Sequence, residues 1–328
     1  MNNLSAHWPN HQEKLDWSSP FILPQWMRAW WRSFQPEAEP LLVSVHDHDE
    51  LIGLAPLMRT GEAVTFVGSP DVCDYQDFIV APNRERAFFE SLLDELDGRG
   101  VARLDLPSLR PDSAALTHLL PLARERGLEV FCRANGVSLE MDLPKGWSQY
   151  QSGLNSKQRH EIRRKIRRMN EAAETKLRLV ESGAAVREAM GIFLGLFRQS
   201  RGDKDSFMTG LMEGFFHSLA EEMAALGLLR IFILELDGRP AAATMCFDYN
   251  NTVYLYNNGY DPHLSSLSVG ILCKVLTIKA SLEWGRKKYS FLKGAERYKY
   301  HLGGREVELS GCVIALRGSA ATQKELTT

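Results

Sequence analysis

Behind Pro24, the apolar positions Trp26, Trp30 and Phe34 fall four apart, which predicts a helix over PQWMRAWWRSF. Short β-like runs follow at 41–45, 51–58, 63–68 and 75–80, and the polar cluster His46 to Glu50 joins the first two as a hairpin turn would. A helix from about Arg84 to Leu96 closes near Gly98. Then come a strand at 101–106, a helix at 112–126 ending at Gly127, and strands near 128–132 and 137–141.

A connector from Pro144 to Gln151 leads into a long basic helix, about Leu154 to Ala173. Helices are predicted at 184–199 and 209–225, separated by the polar loop SRGDKDS. Three β-like runs follow at 228–236, 240–249 and 252–260, with the hairpin signal Asp237-Gly238 between the first two. After a polar loop come a helix at 267–284 closed by Gly285, a strand at 289–292, a short helix near 295–301 and a last strand at 306–316. Strands interleaved with helices give a mixed α/β (α+β) chain. The two halves repeat one order of elements without any residue-level repeat. We therefore place an N-terminal domain at 1–143, a C-terminal domain at 144–318 and a flexible polar tail at 319–328.

Composition narrows the function classes. A chain of 328 residues is long for one core and suits two units. With 44% hydrophobic and 24% charged residues, and a formal net charge of −2, nothing global draws it to nucleic acid or anionic membrane. No apolar run reaches the ~20 residues needed to span a bilayer, and the N-terminus carries no secretory leader. The five cysteines, Cys73, Cys132, Cys246, Cys273 and Cys312, are scattered and form no Cys-x-x-Cys pair. They read as reduced core residues of a soluble, cytoplasmic protein. His46 and His48 have metal-like spacing but sit in a turn beside Asp47 and Asp49 without a third ligand, so no metal is expected. No P-loop, dinucleotide fingerprint or nucleophile elbow is present.

Chemistry concentrates between Gly259 and Tyr300. A strand runs into the loop DPHLSSLS and then a strongly apolar helix, whose first N–H groups and dipole suit an anion such as pyrophosphate. Ser266 and Ser268 are natural caps there, and Gly270 permits close backbone approach. An ordinary capped crossover helix fits the same residues. Next, FLKGAERYKY puts Glu296, Tyr298 and Lys299 at the carboxyl end of a strand, where open α/β sheets bind ligands. Glu296 is a candidate base for an amine, and Tyr298 or Lys299 a candidate acid or oxyanion partner. A surface ion pair between Glu296 and Lys299 is the plainer alternative.

On the basic helix, Ile162, Ile166, Met169 and Ala173 form one apolar stripe. Arg159 and Arg163 border it, and Lys157, Arg164 and Arg168 project from the far side. Between Lys157 and Arg178 stand nine basic and three acidic residues. This is a solvated face, a phosphate grip by Arg159 and Arg163, or a track for an RNA backbone. Lys157, Tyr256 and Asp77 are candidate substrate contacts, although Asp77 and Asp74 also suit a turn or a cap.

YSFLKGAERYKY at 289–300 resembles the hallmark of GNAT-superfamily acyltransferases of the CelD type. The basic stretch at 154–169, Tyr260-Asp261-Pro262 and Ser268…Gly270 resemble the same family, with Val269 where that family has proline. The resemblance covers about 140–316 well and the first half loosely. It implies two tandem GNAT-like domains, each a mixed sheet flanked by helices, related to Fem-type aminoacyl transferases. It further implies metal-free N-acyl transfer from acyl-CoA to an amine, the acceptor being a small molecule or a cell-envelope precursor. Two alternatives stay open: aminoacyl-tRNA as the donor, and a non-catalytic scaffold in polysaccharide biosynthesis. The implied carrier site is Ser268, Gly270, Arg159 and Arg163, and the implied catalytic set is Glu296, Tyr298 and Lys299.

Overall fold

The computed structural model describes residues 14–200 and 207–317. Nearly all of the polar loop SRGDKDS and the tail from Ser319 lie outside the described residues. Contacts divide the chain into two units, Met1–Val137 with Val307–Thr328, and Ser138–Glu306.

In the first unit, helix α1 (Pro24–Phe34) buries Trp26, Met27 and Trp30, as its spacing requires. Strands β1 (Glu39–Asp47) and β2 (Glu50–Thr60) pair antiparallel. Strands β3 (Ala63–Phe66) and β4 (Ile79–Val80) both add to β2. Helix α2 (Glu85–Gly98) crosses over to β5 (Arg103–Leu109), which runs parallel to β3. The strand expected over 75–80 shrinks to two residues. The side chains before it are committed elsewhere: Gln76 Nε2 donates to the Val67 carbonyl at 2.5 Å, and Asp77 accepts from Ala114 and Ala115. Phe66, Phe78, Phe88 and Phe89 interlock in the core, with Phe66–Phe78 and Phe78–Phe89 centroids at 4.9 and 5.2 Å. Each such ring contributes about 1.5–3 kcal/mol by burial.

The helix expected at 112–126 begins as a π-turn, Ala115–Leu119, and continues as α3 (Leu120–Glu125). One strand of 14 residues, β6 (Glu129–Asp142), replaces the two short strands expected at 128–132 and 137–141. Asn135-Gly136 resembles a hairpin turn in sequence, but Gly136 takes its positive φ (86°) within the strand.

In the second unit, α4 (Trp147–Gly153) occupies the expected connector, and α5 (Ser156–Ala172) is the basic helix. Asn155 and Gln158 form a reciprocal capping box that fixes where α5 begins. Its stripe packs as predicted: Met169, with Ile166 and Ala173, meets Val269, Leu272 and Cys273. A strand concealed in the charge run, β7 (Thr175–Val180), pairs with β8 (Leu229–Leu236). Helices α6 (Ala185–Ser200) and α7 (Gly210–Ala225) precede β8. Strands β9 (Arg239–Tyr249) and β10 (Thr252–Tyr260) continue the antiparallel run. The turns at Asp237-Gly238 and Asn250-Asn251 place both central residues at positive φ, the hairpin geometry that matches strand twist. Helix α8 (Val269–Glu283) then crosses to β11 (Lys288–Lys293), parallel to β10.

The final strands are exchanged. β6, the last strand of the first half, pairs antiparallel with β11 through residues 138–142. β12 (Arg305–Ala315), the last strand of the second half, pairs antiparallel with β5. The first unit's strand order is thus β1-β2-β3-β5-β12-β6, and the second's is β6-β11-β10-β9-β8-β7. Among the described residues no helix is long and apolar enough to cross a membrane.

One expectation is overturned. Cys132 on β6 and Cys312 on β12 form a disulfide, so these two are not reduced core thiols. The strands are neighbours in the sheet although the cysteines are 180 residues apart in sequence, a separation that concealed the pair. Cys73, Cys246 and Cys273 are free and buried. Closing so long a loop restricts the unfolded chain, so dithiothreitol should lower the urea midpoint by the equivalent of about 2–4 kcal/mol. Cys312→Ser should start at the reduced value and no longer respond to dithiothreitol. Equal midpoints for the wild type in both redox states would refute the stabilising role.

Candidate active site

The site is built where two parallel strands part. β10 and β11 pair only at Thr252–Lys288, Val253–Tyr289 and Tyr254–Ser290. Beyond that point β10 stays with β9 as far as Tyr260–Ala242, and β11 stays with β6 as far as Lys293–Ser138. Each strand shifts register at the parting, β10 between Leu255 and Asn257 and β11 between Ser290 and Leu292. Such bulges bend a strand away from its neighbour, and a wedge opens between the two. Beneath it the buried Tyr289 hydroxyl and Thr277 Oγ1 share a 2.8 Å hydrogen bond that ties α8 to β11.

Helices pack closely on both faces of β10. A Cβ on Gly259 would meet the backbone of Leu196 and Phe197 on α6 at 2.3–2.6 Å. The next residue, Tyr260, points to the other face, where its ring lies 2.9 Å from where a Gly270 Cβ would sit on α8. Gly270 is therefore required by Tyr260, a packing need that local sequence did not reveal. Ser268, at φ 58°, ends a 3₁₀ turn (Pro262–Leu267) and starts α8, and its side chain makes no capping hydrogen bond.

The turn after β11 is organised by Lys299. Its ammonium donates to the carbonyls of Leu292 at 3.1 Å, Lys293 at 2.7 Å and Gly294 at 3.1 Å, and lies 2.9 Å from Glu296 Oε2. Lys299 is 2% exposed, whereas the Glu296 side chain is 47% exposed. The ammonium thus meets its acceptors out of water, where such bonds are strongest. Leu292 at φ 63° and Gly294 at φ 108° hold the carbonyls in this array. Glu296 stands at the N-cap of the short helix α9 (Arg297–His301) and folds its carboxylate over Gly294, 2.6 Å from where a Cβ would be.

One functional candidate escaped the sequence reading. Lys274 is 3% exposed on α8, donates to the Gly270 carbonyl at 2.9 Å and sits 4.7 Å above the Tyr298 ring. It joins the start of α8 to the turn carrying Glu296, Tyr298 and Lys299. The signal was a single charge within VGILCKVLTI.

The remaining predicted residues have other partners. Arg159 Nη1 contacts the carbonyls of Gln151, Ser152 and Leu154 at 3.2–3.5 Å, covering the C-terminal end of α4. Arg163 reaches Gln151 Oε1 at 3.3 Å, and Lys157 is exposed. Tyr256, the bulged residue of β10, packs between Phe216 and Phe247 at 5.5 and 5.3 Å. Asp77 belongs to the first unit, and its carboxylate accepts from Phe78, Ala114 and Ala115 N–H at 2.7–3.1 Å. Among the described residues no group of three or more His, Cys, Asp or Glu could hold a metal ion.

Residues 156–300, which hold both the wedge and the Lys299 turn, match the family described as acetyltransferase (GNAT) domain. Over these residues the chain is similar to a GNAT-type acyltransferase domain. Folds similar to the whole chain, GNAT-type domain included, occur in solved structures. The crystal structure of FemX shares 11% identity and a TM-score of 0.64, covering 94% of this chain and 95% of that one. L-PGS from Bacillus licheniformis shares 11% at a TM-score of 0.56, over 93% and 95%. The C-terminal domain of a putative lysylphosphatidylglycerol synthetase from Agrobacterium fabrum shares 9% at 0.55, over 87% of each. At these identities the likeness is one of fold. No curated protein matches the chain by sequence.

Two expected outcomes follow from the GNAT-type domain's turn and from Asp77. Lys299→Met should cost about 1–3 kcal/mol by stranding buried carbonyls, and should speed amide exchange around Lys293 and Gly294. Substitution of the exposed Arg297 by alanine should do neither. For Asp77, burial outweighs the three N–H donors and pushes its carboxyl up to about 7, with Asp16 adding in the same direction. A carboxyl raised on folding contributes stability below its unfolded pKa of about 4 and loses it as pH rises through about 7. The wild-type minus Asp77→Asn difference in urea midpoint should therefore shrink between pH 5 and pH 8. A difference that grows with pH would overturn this.

Proposed function

We propose that the GNAT-type domain moves an acyl group from an acyl-CoA thioester directly to an amine in the wedge between β10 and β11. One observation carries the reading: the parallel ladder stops at Tyr254 and Ser290, and Lys274 joins the start of α8 to the Glu296–Lys299 turn beside it. The freed edge of β10 offers backbone groups to an amide-bearing carrier arm, as an open strand edge does for a peptide. The first N–H groups of α8, with Ser268 and Gly270, suit the carrier's phosphates. Arg159 serves α4 in this reading, because its guanidinium group is directed to the carbonyls at the end of that helix.

In the reaction the amine nitrogen bonds to the thioester carbonyl carbon and the carbon–sulfur bond breaks. Glu296, half-exposed at the turn, takes the proton leaving the amine. The Tyr298 hydroxyl gives a proton to the departing thiolate. Lys299 is a positioning residue, since its three N–H bonds are used on carbonyls. The acceptor is an amine of a small molecule or a cell-envelope precursor, and Lys157 and Tyr256 are secondary candidates for its contacts.

A second reading takes aminoacyl-tRNA as the donor. It is supported by the fold shared with FemX over 94% of the chain, and by the basic face of α5. One further fold neighbour is named as a putative lysylphosphatidylglycerol synthetase, which makes an envelope lipid a candidate acceptor here.

The two readings separate in one assay. Amine-dependent thiol release from a panel of acyl-CoAs is expected for the wild type, and Glu296→Gln should lower turnover by about 10²–10⁴-fold. Wild-type turnover in both Glu296→Gln and Tyr298→Phe would defeat the catalytic assignment. Failure of every thioester, with tRNA binding that weakens steeply as salt rises, would favour the second donor.

A further inference from the structure

Helices α4 and α5 enclose an open groove of about 570 Å³ lined by Trp147, Gln151, Arg163, Ile166, Arg167, Asn170 and Glu171. The size suits a nucleotide-sized ligand. Its geometry is fixed from behind. Trp147 stacks on Tyr150 at 5.2 Å and 29°, and the Tyr150 hydroxyl donates to the Leu302 carbonyl at 3.0 Å. Arg159 holds α4 against α5 through the carbonyls of Gln151 and Leu154. The groove therefore presents an aromatic plane, an apolar floor at Ile166 and two guanidinium groups one helical turn apart.

We propose that this groove binds a nucleotide, with the base on Trp147 and a phosphate between Arg163 and Arg167. Aromatic rings take any base by stacking, and forked guanidinium groups take phosphate by paired hydrogen bonds. Gln151 and Asn170 can donate to and accept from a base edge. Glu171 is the one acidic lining residue, and it lies 3.7 Å from Arg167 with both side chains about 70% exposed. An ion pair so exposed is weak and yields to a phosphate. The inference rests on the acyl-carrier reading for its choice of ligand. The two candidate carriers each bear a nucleotide, CoA in its phosphorylated adenosine and aminoacyl-tRNA at its acceptor end.

Calorimetry on the full chain tests the groove with adenosine 3′,5′-bisphosphate, a probe that requires no acyl transfer. Trp147→Leu and the exposed pair Arg163→Ala/Arg167→Ala should each weaken binding about 10-fold, the arginine pair with no change in melting temperature. Parallel titrations with free CoA and with an acceptor-stem RNA hairpin identify the source, since only the natural carrier should lose affinity in both variants. Bisphosphate binding that is absent, or unchanged in both variants, overturns the groove and leaves the transfer reading standing. Bisphosphate binding that depends on Trp147 and the arginines, with neither carrier bound, upholds the groove and defeats the carrier reading.

Discussion

A single buried ammonium determines the shape of the site. Lys299 draws three successive carbonyls toward one point, and that convergence is what bends the end of β11 out of line with β10. The bend has a backbone signature, since a leucine stands at φ 63° where side chains rarely go. Strain of this kind persists only where the surroundings over-determine it. Here the surroundings are a charge that has left water and must be fully bonded, so the turn cannot relax without stranding it. Glu296 inherits its place from the same array, so the position of its carboxylate follows from a structural necessity of the strand end.

The same logic runs through the start of α8. Tyr260 requires a glycine beneath its ring, and Lys274 reaches back along the helix to the carbonyl of that glycine and over Tyr298. Long helical side chains lean toward the N-terminus, so a lysine one turn in naturally reaches the first turn's carbonyls. The result links three separate stretches of sequence, the loop before α8, the helix itself and the turn after β11.

The sequence made the local elements legible and concealed the non-local ones. Hairpins announced themselves through Asp237-Gly238, and the stripe on α5 named its own buried face. β7 was missed because TKLRLV carries two basic residues inside a charge run, and the two strands expected at 128–132 and 137–141 are one, with Asn135-Gly136 inside it. At the site, the cluster Glu296, Tyr298 and Lys299 was readable as a motif. That Lys299 is spent on carbonyls was not, because carbonyl positions depend on backbone angles that composition does not reveal. Arg159, a candidate for phosphate, also bonds the carbonyls at the end of α4, a contact that could not be foreseen while that helix was read as a connector. The disulfide was beyond reach for a related reason: neighbouring strands, unlike neighbouring residues, are set by topology.

The exchanged strands have a consequence for how the chain comes to be folded. Strand β5 leaves the ribosome with the first half, yet its antiparallel partner β12 is made some two hundred residues later. The half that is synthesised first is therefore completed last, and through translation it carries an open strand edge able to pair with another chain. β6 waits in the same way for β11. Pairings so distant make for slow folding, and they place on the cell the task of shielding a nearly finished domain until its last strand arrives.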